Sequence, residues 1–110
     1  KASAKLAEYG FATMWLNNDW QGADFIAVHA DGITDIKVQL KGRLSFNKRY
    51  IGKNIYICFI HNEDIYLYPH DSILKQLEHR ISDRIWIEKG TYSASTLTEE
   101  NQKLLEEYKL

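Results

Sequence analysis

Two runs of alternating apolar and polar residues, joined by a single turn signal, limit the fold of this chain more than any other feature. Gly22 to Val28 leads through His29, Ala30, Asp31 and Gly32 into Ile33 to Lys41. An Asp-Gly pair favours a tight reversal, so the two runs read as neighbouring strands of a hairpin. Side chains alternate between the faces of a strand, which puts Gln39 and Lys41 on one face and Ile36, Val38 and Leu40 on the other. Asp24 comes from the first strand, and an apolar face backs the polar one. A carboxylate, an amide oxygen and an ammonium on one rigid surface suit a divalent cation beside a phosphate.

Around this hairpin the pattern predicts a helix over 1–9, ended by Gly10, and a first strand over 11–16. Asn17 to Asp19 and Gln21-Gly22 supply turn chemistry before the strand that bears Asp24. Residues 42–53 fit no single element. The apolar run Ile55 to Ile60 reads as a strand covered on both faces, paired with Ile65 to Tyr68 through His61 to Asp64. Pro69 stops that strand, and Asp71 or Ser72 can cap a helix lined by Ile73, Leu74 and Leu77. Ile85 to Ile87 reads as a short strand. Thr96 and Glu99 have capping-box spacing ahead of a closing helix striped by Leu97, Asn101, Leu104, Leu105 and Tyr108. This order predicts an α/β or α+β domain with a central mixed sheet flanked by helices.

A chain of 110 residues that is 45% hydrophobic, with one Pro and six Gly, is the size of one domain, and residues 1–110 are expected to form it. The chain starts at Lys1 in what already reads as helix, so residues ahead of it are expected. Cys58 is the sole cysteine and lies in an apolar run, which excludes an internal disulfide and predicts a buried, unreactive thiol. With no bilayer-length apolar stretch and no signal-peptide pattern, a cytoplasmic protein without a membrane role is expected. His29, His61, His70 and His79 lack the pairing of a zinc motif.

The net charge of −1 excludes a general polycation, but it conceals a strongly uneven distribution. Lys37, Lys41, Arg43, Lys48, Arg49 and Lys53 follow one another with no Asp or Glu between them, whereas the end of the chain is acidic. The basic run begins on the strand of Gln39 and Lys41. It would flank that site and could neutralise a phosphate backbone.

Glu8 on the first helix, Asp24 on a strand and Gln39-Leu40-Lys41 on the next appear in the order found in the PD-(D/E)XK, or restriction-endonuclease-like, nucleases, and the chain resembles that superfamily over residues 2–78. More narrowly, Val38 to Arg43 and Ile65 to Asp71 are similar to the small bacterial members related to group I intron homing endonucleases, where Gln commonly precedes x-Lys. Two positions depart from the pattern: Ala23 stands where the name-giving Pro would be, and neutral Gln39 is a weaker metal ligand than a carboxylate.

The resemblance implies a restriction-endonuclease-like core and a Mg²⁺-dependent endodeoxyribonuclease, with Mn²⁺ able to substitute, that hydrolyses DNA phosphodiesters through a metal-activated water. Asp24, the Gln39 amide and the Leu40 backbone carbonyl would hold the ion, with Glu8 on a bound water or a second ion. Lys41 would orient the attacking water or stabilise transition-state charge. Arg43, Lys48, Arg49 and Lys53 would contact DNA, and a homodimer or homotetramer is expected because so small a chain makes few DNA contacts alone.

Plainer alternatives accompany each residue. Asp24 and Lys41 could form a salt bridge across strands, Gln39 could be a hydrogen-bonded strand amide, and Glu8 a solvated helix residue. Asp19 and Asp35 are outer candidates, and Trp20 or Tyr50 could stack on a base. For the whole chain, the alternatives are a nuclease-fold domain that binds nucleic acid or protein without cutting, and a structural subunit whose closing helix docks on a partner.

Overall fold

The computed structural model describes residues 2–20, 23–81, 84–94 and 96–110, apart from the side chains of Ser3 and residues 17–20. Helix α1 (Ala2–Glu8) precedes strands β1 (Phe11–Trp20), β2 (Ala23–His29) and β3 (Asp35–Lys41). Strand β4 (Ser45–Asn47) and a 3-10 turn (Lys48–Tyr50) lead to β5 (Ile55–His61), β6 (Asp64–Pro69) and helix α2 (His70–Leu77). Helix α3 (Arg84–Lys89), strand β7 (Thr91–Ser93) and helix α4 (Glu99–Leu105) follow. Five strands form one sheet in the order β1-β2-β3-β5-β6, and β4 pairs with β7 in a separate ribbon. Among the described residues, only the β3–β5 pairing in the large sheet is parallel. The protein is therefore α/β with a mixed central sheet flanked by helices, as its pattern of elements predicts.

The β2–β3 hairpin forms where Asp31-Gly32 places it. One Asp31 oxygen accepts the N–H groups of Ile33 and Thr34 at 2.8 Å, the other accepts the Thr34 hydroxyl, and Gly32 takes φ +74°. Hydrogen bonds from the Thr34 and Ile33 backbones, then from the Thr34 side chain, pull the Asp31 carboxyl down to about 2. Gly10, at φ +88°, ends α1, and a Cβ there would stand 2.9 Å from the His29 ring.

Register separates the two faces. Phe25, Ala27, Val38 and Cys58 pack with Leu6 of α1 on one face. On the other, Ile57, Phe59, Tyr66 and Tyr68 pack with Phe46, Tyr50, Ile73, Trp86 and Leu105. Gln39 is the Cα partner of Ile57, and Lys41 of Phe59, which assigns both to this second face. Burial pushes the Cys58 thiol up to about 11, in keeping with an unreactive core sulfur.

Several expectations are corrected. Strand β1 continues to Trp20 through residues read as a turn, with a register shift between Trp15 and Trp20. The expected Gln21-Gly22 turn, and the roles considered for the Asp19 and Trp20 side chains, fall outside the described residues. Ile85 to Ile87 is helical: Arg84 pairs with Glu88 one turn on, and Gly90 at φ +76° receives the chain end. Helix α2 starts at His70, and neither Asp71 nor Ser72 caps it. The cap of α4 is Thr98, whose hydroxyl accepts Asn101 N–H, rather than Thr96. The closing helix docks on its own core through Leu105, which removes the reading of a stripe reserved for a partner. No helix among the described residues is long and apolar enough to cross a membrane.

Candidate active site

The β2–β3 ladder stops at Phe25 and Val38, and the site lies where the strands part. With no ladder partner beyond that pair, the Leu40 N–H donates to Asp24 Oδ2 at 2.9 Å. A residue's N–H and C=O leave a strand on the same side, so the Leu40 carbonyl also leaves β3 toward β2. Gln39, one residue back, presents its side chain to the second face. Its Oε1 is sealed from solvent with no hydrogen-bond partner. A buried amide oxygen left unpaired costs about 1–3 kcal/mol, so an atom of this kind either carries strain or awaits a ligand.

Lys41 follows on the same face and lines a cleft of about 270 Å³ whose other walls include Asn47, Ile85, Thr91, Tyr92 and Ser93. The crossover from β3 to β5 builds this cleft. Phe46 and Tyr50 sink into the core, which holds β4 and the 3-10 turn over the Gln39 face. The Tyr68 hydroxyl donates to Ser45 C=O and accepts Ser45 N–H, and burial raises that phenol above its ordinary value. The Ser45 and Ser93 hydroxyls meet at 2.9 Å across the ribbon.

His70 makes the second anchor, and sequence reasoning missed it. Fully buried, it stands edge-on to the rings of Phe46 and Tyr50, while Nε2 accepts Asn47 N–H at 3.0 Å and Nδ1 meets Asp71 at 2.8 Å. The backbone donor at Nε2 requires a lone pair there, which puts the proton of the neutral ring on Nδ1. Asp71 also accepts Gly52 N–H. Burial acts to raise the Asp71 carboxyl, but the hydrogen bonds from His70 and Gly52 leave it below the ordinary carboxylate value. The one available signal was a His-Asp pair directly after the strand-ending Pro69.

The structure thus brings together Asp24 and the Leu40 backbone, with Gln39 and Lys41 on the adjoining face. No ion pair joins Asp24 to Lys41 among the described residues, so the cross-strand salt bridge is not formed. Glu8 belongs to the helix over the opposite face, is 64% exposed, and pairs with Lys5 at 3.7 Å. Of the basic run, Lys48 lies over the Trp86 ring at 5.0 Å, and Arg43, Arg49 and Lys53 are exposed. Asp35 is exposed at the start of β3, and Tyr50, only 5% exposed, has no face open for a base.

For a hard cation the donor set is one carboxylate, one orphaned amide oxygen and one backbone carbonyl. These are oxygen ligands of the kind Mg²⁺ takes alongside retained waters, so the residues fit the ion. No group of three or more His, Cys, Asp or Glu gathers among the described residues, which leaves Asp24 the main charge available. Compared with protein-family models, curated proteins and solved structures, the chain matches none.

Proposed function

We propose that this chain is a Mg²⁺-dependent endonuclease of the restriction-endonuclease-like fold, acting on DNA phosphodiester bonds. The observation that carries the reading is the sealed, unpartnered Gln39 Oε1 next to the parted strands where Asp24 holds the Leu40 backbone. Asp24, Gln39 Oε1 and the Leu40 carbonyl would hold the ion. Once bound, it would supply Lewis-acid stabilisation of phosphate charge and a more acidic water.

The chain's own residues do the rest. The Asp24 carboxylate is fixed by a backbone donor before any ligand arrives, so little ordering remains to be done on binding. Lys41 presents a fixed positive charge at the cleft, where a phosphoryl oxygen gains charge in the transition state. Arg43, Arg49 and Lys53, on the crossover above the same face, would track the phosphate backbone.

The test is cleavage of supercoiled DNA by the purified chain. Nicking with Mg²⁺ or Mn²⁺, its loss in chelator, and a roughly 10²–10³-fold loss in Lys41→Ala are expected. Undiminished cleavage by Lys41→Ala would remove the assignment. The second reading, a domain that binds nucleic acid without cutting, is favoured by neutral Gln39 and the single carboxylate. Salt-sensitive DNA binding with no response to Mg²⁺ titration would select it.

A further inference from the structure

The parallel strands β3 and β5 run out together, at Lys41 and His61. In open α/β sheets the crevice outside such carboxyl ends is where ligands bind. Here it holds a recess of about 380 Å³. Arg43 lines it from the crossover and His61 from the end of β5, with Leu44 and Phe59 as apolar walls. Thr96 and Leu97, from the segment after β7, form the remaining side, and Ala94 N–H ties that segment to the Leu44 carbonyl at 2.9 Å. No Asp or Glu lines the recess, and among the described residues neither the Arg43 nor the His61 side chain takes part in an ion pair. Asp64 stands opposite His61 in the β5–β6 ladder without pairing to it. In the neighbouring cleft that also touches Leu44, by contrast, Arg80 is neutralised by Glu100 at 2.6 Å.

We propose that this recess binds a phosphate monoester, with the Arg43 guanidinium and a His61 N–H on the phosphate oxygens and the attached organic group against Leu44, Phe59 and Leu97. A guanidinium offers a planar fork of donors that matches phosphate, and an imidazole has at least one N–H donor in either protonation state. Form and charge favour a monoester over a backbone diester. A diester continues on both sides of the phosphorus and needs an open groove, whereas a monoester can end in a recess. It also carries a charge of about −1.5 to −2 at neutral pH, enough to engage both donors. A volume in the range of roughly 300–1,000 Å³ suits a small molecule or the last nucleotide of a strand. Both sources present the same terminal group.

Calorimetric titration without Mg²⁺ reads binding and not cleavage, so this assignment and the nuclease reading fail separately. The probes are a deoxynucleoside 5′-monophosphate, the same nucleoside without phosphate, and a short single-stranded oligonucleotide with and without a terminal phosphate. Each phosphorylated probe should bind at least about tenfold more tightly than its unphosphorylated counterpart. That preference in the oligonucleotide alone makes a strand end the source, and in the monophosphate alone a free phosphoester. Arg43→Ala should abolish the preference, Arg43→Lys should restore part of it because it keeps the charge without the fork, and His61→Ala should weaken binding about tenfold. Lys75→Ala, exposed on α2, should change nothing. Equal binding of the two oligonucleotides would overturn the proposal, as would no binding of any phosphorylated probe. So would an Arg43→Ala or His61→Ala chain that binds like the wild type. If the monoester binds but no DNA is cut when Mg²⁺ is added, the recess stands and the nuclease reading falls.

Discussion

Two polar clusters lie on the same side of the sheet, and they differ in how completely their atoms are bonded. At His70 and Asp71 both imidazole nitrogens have partners, and Asp71 holds a backbone N–H as well. At Asp24 and Gln39 the carboxylate holds one backbone N–H, but the neighbouring amide oxygen is buried with nothing to bond. Buried polar groups that are fully satisfied fix one arrangement of the chain, and the first cluster does this by tying β4 and the crossover to α2. Such a deficit, which the Tyr66 hydroxyl and Asn101 Oδ1 share, costs stability and is retained where a ligand makes it good. The contrast makes the histidine part of the architecture and underlies the proposal that the glutamine binds a ligand, although either residue type could do either job.

The sharpest way to break this contrast is His70→Ala. It would leave Asn47 N–H and Asp71 without their partner and open a cavity between Phe46 and Tyr50, so a loss of about 3 kcal/mol or more is expected in denaturant unfolding. A cost below about 1 kcal/mol would mean the cluster is not an anchor. Gly90→Ala should come next. Gly90 sits at φ +76°, a Cβ there would stand 3.2 Å from the Lys48 side chain, and its carbonyl receives Lys48 N–H. Strain of about 1–2 kcal/mol should appear as a lowered melting temperature.

Gln39→Leu should act in the opposite direction on stability. Removing an unsatisfied oxygen for an apolar group of similar size should leave the apo protein unchanged or more stable by about 1 kcal/mol, while Mg²⁺ no longer raises its melting temperature. Destabilisation of the apo protein would show that the amide is structural. The smallest effect concerns acid. The Asp71 carboxyl is held below its ordinary 3.8, so its contribution is complete above that value and is lost as pH falls through the lower folded value. Between about pH 5 and pH 2 the wild type should lose stability faster than Asp71→Asn in urea titrations, and parallel curves would contradict it.

The hairpin and its parity were legible because one turn signal and strict alternation fix which way Gln39 and Lys41 face. The contact that defines the site was not, because it depends on β2 and β3 parting after Phe25 and Val38, and no residue type announces where a ladder ends. Ile85 to Ile87 shows a different limit. A three-residue apolar run carries no period, and the helix is decided by Arg84, Glu88 and Gly90 around it. The burial of His70 depends on Phe46 and Tyr50, twenty or more positions away in the chain and brought close only by the crossover. Alternation also gave the Gln39 face as polar, and the structure shows it polar only near β3, since Ile57 and Phe59 continue it as core.

The lone parallel pairing, β3 with β5, joins two ribbons that each form from local contacts: β1-β2-β3 on one side and β5-β6 on the other. Adjacent antiparallel strands close short loops, whereas this seam waits for a longer excursion through β4. Asp24 and Leu40 therefore meet within the first ribbon, through contacts local in the chain. The wall of Asn47 and Tyr92 opposite Lys41 comes from the crossover and from β7, so the cleft rests on contacts between segments far apart in the chain.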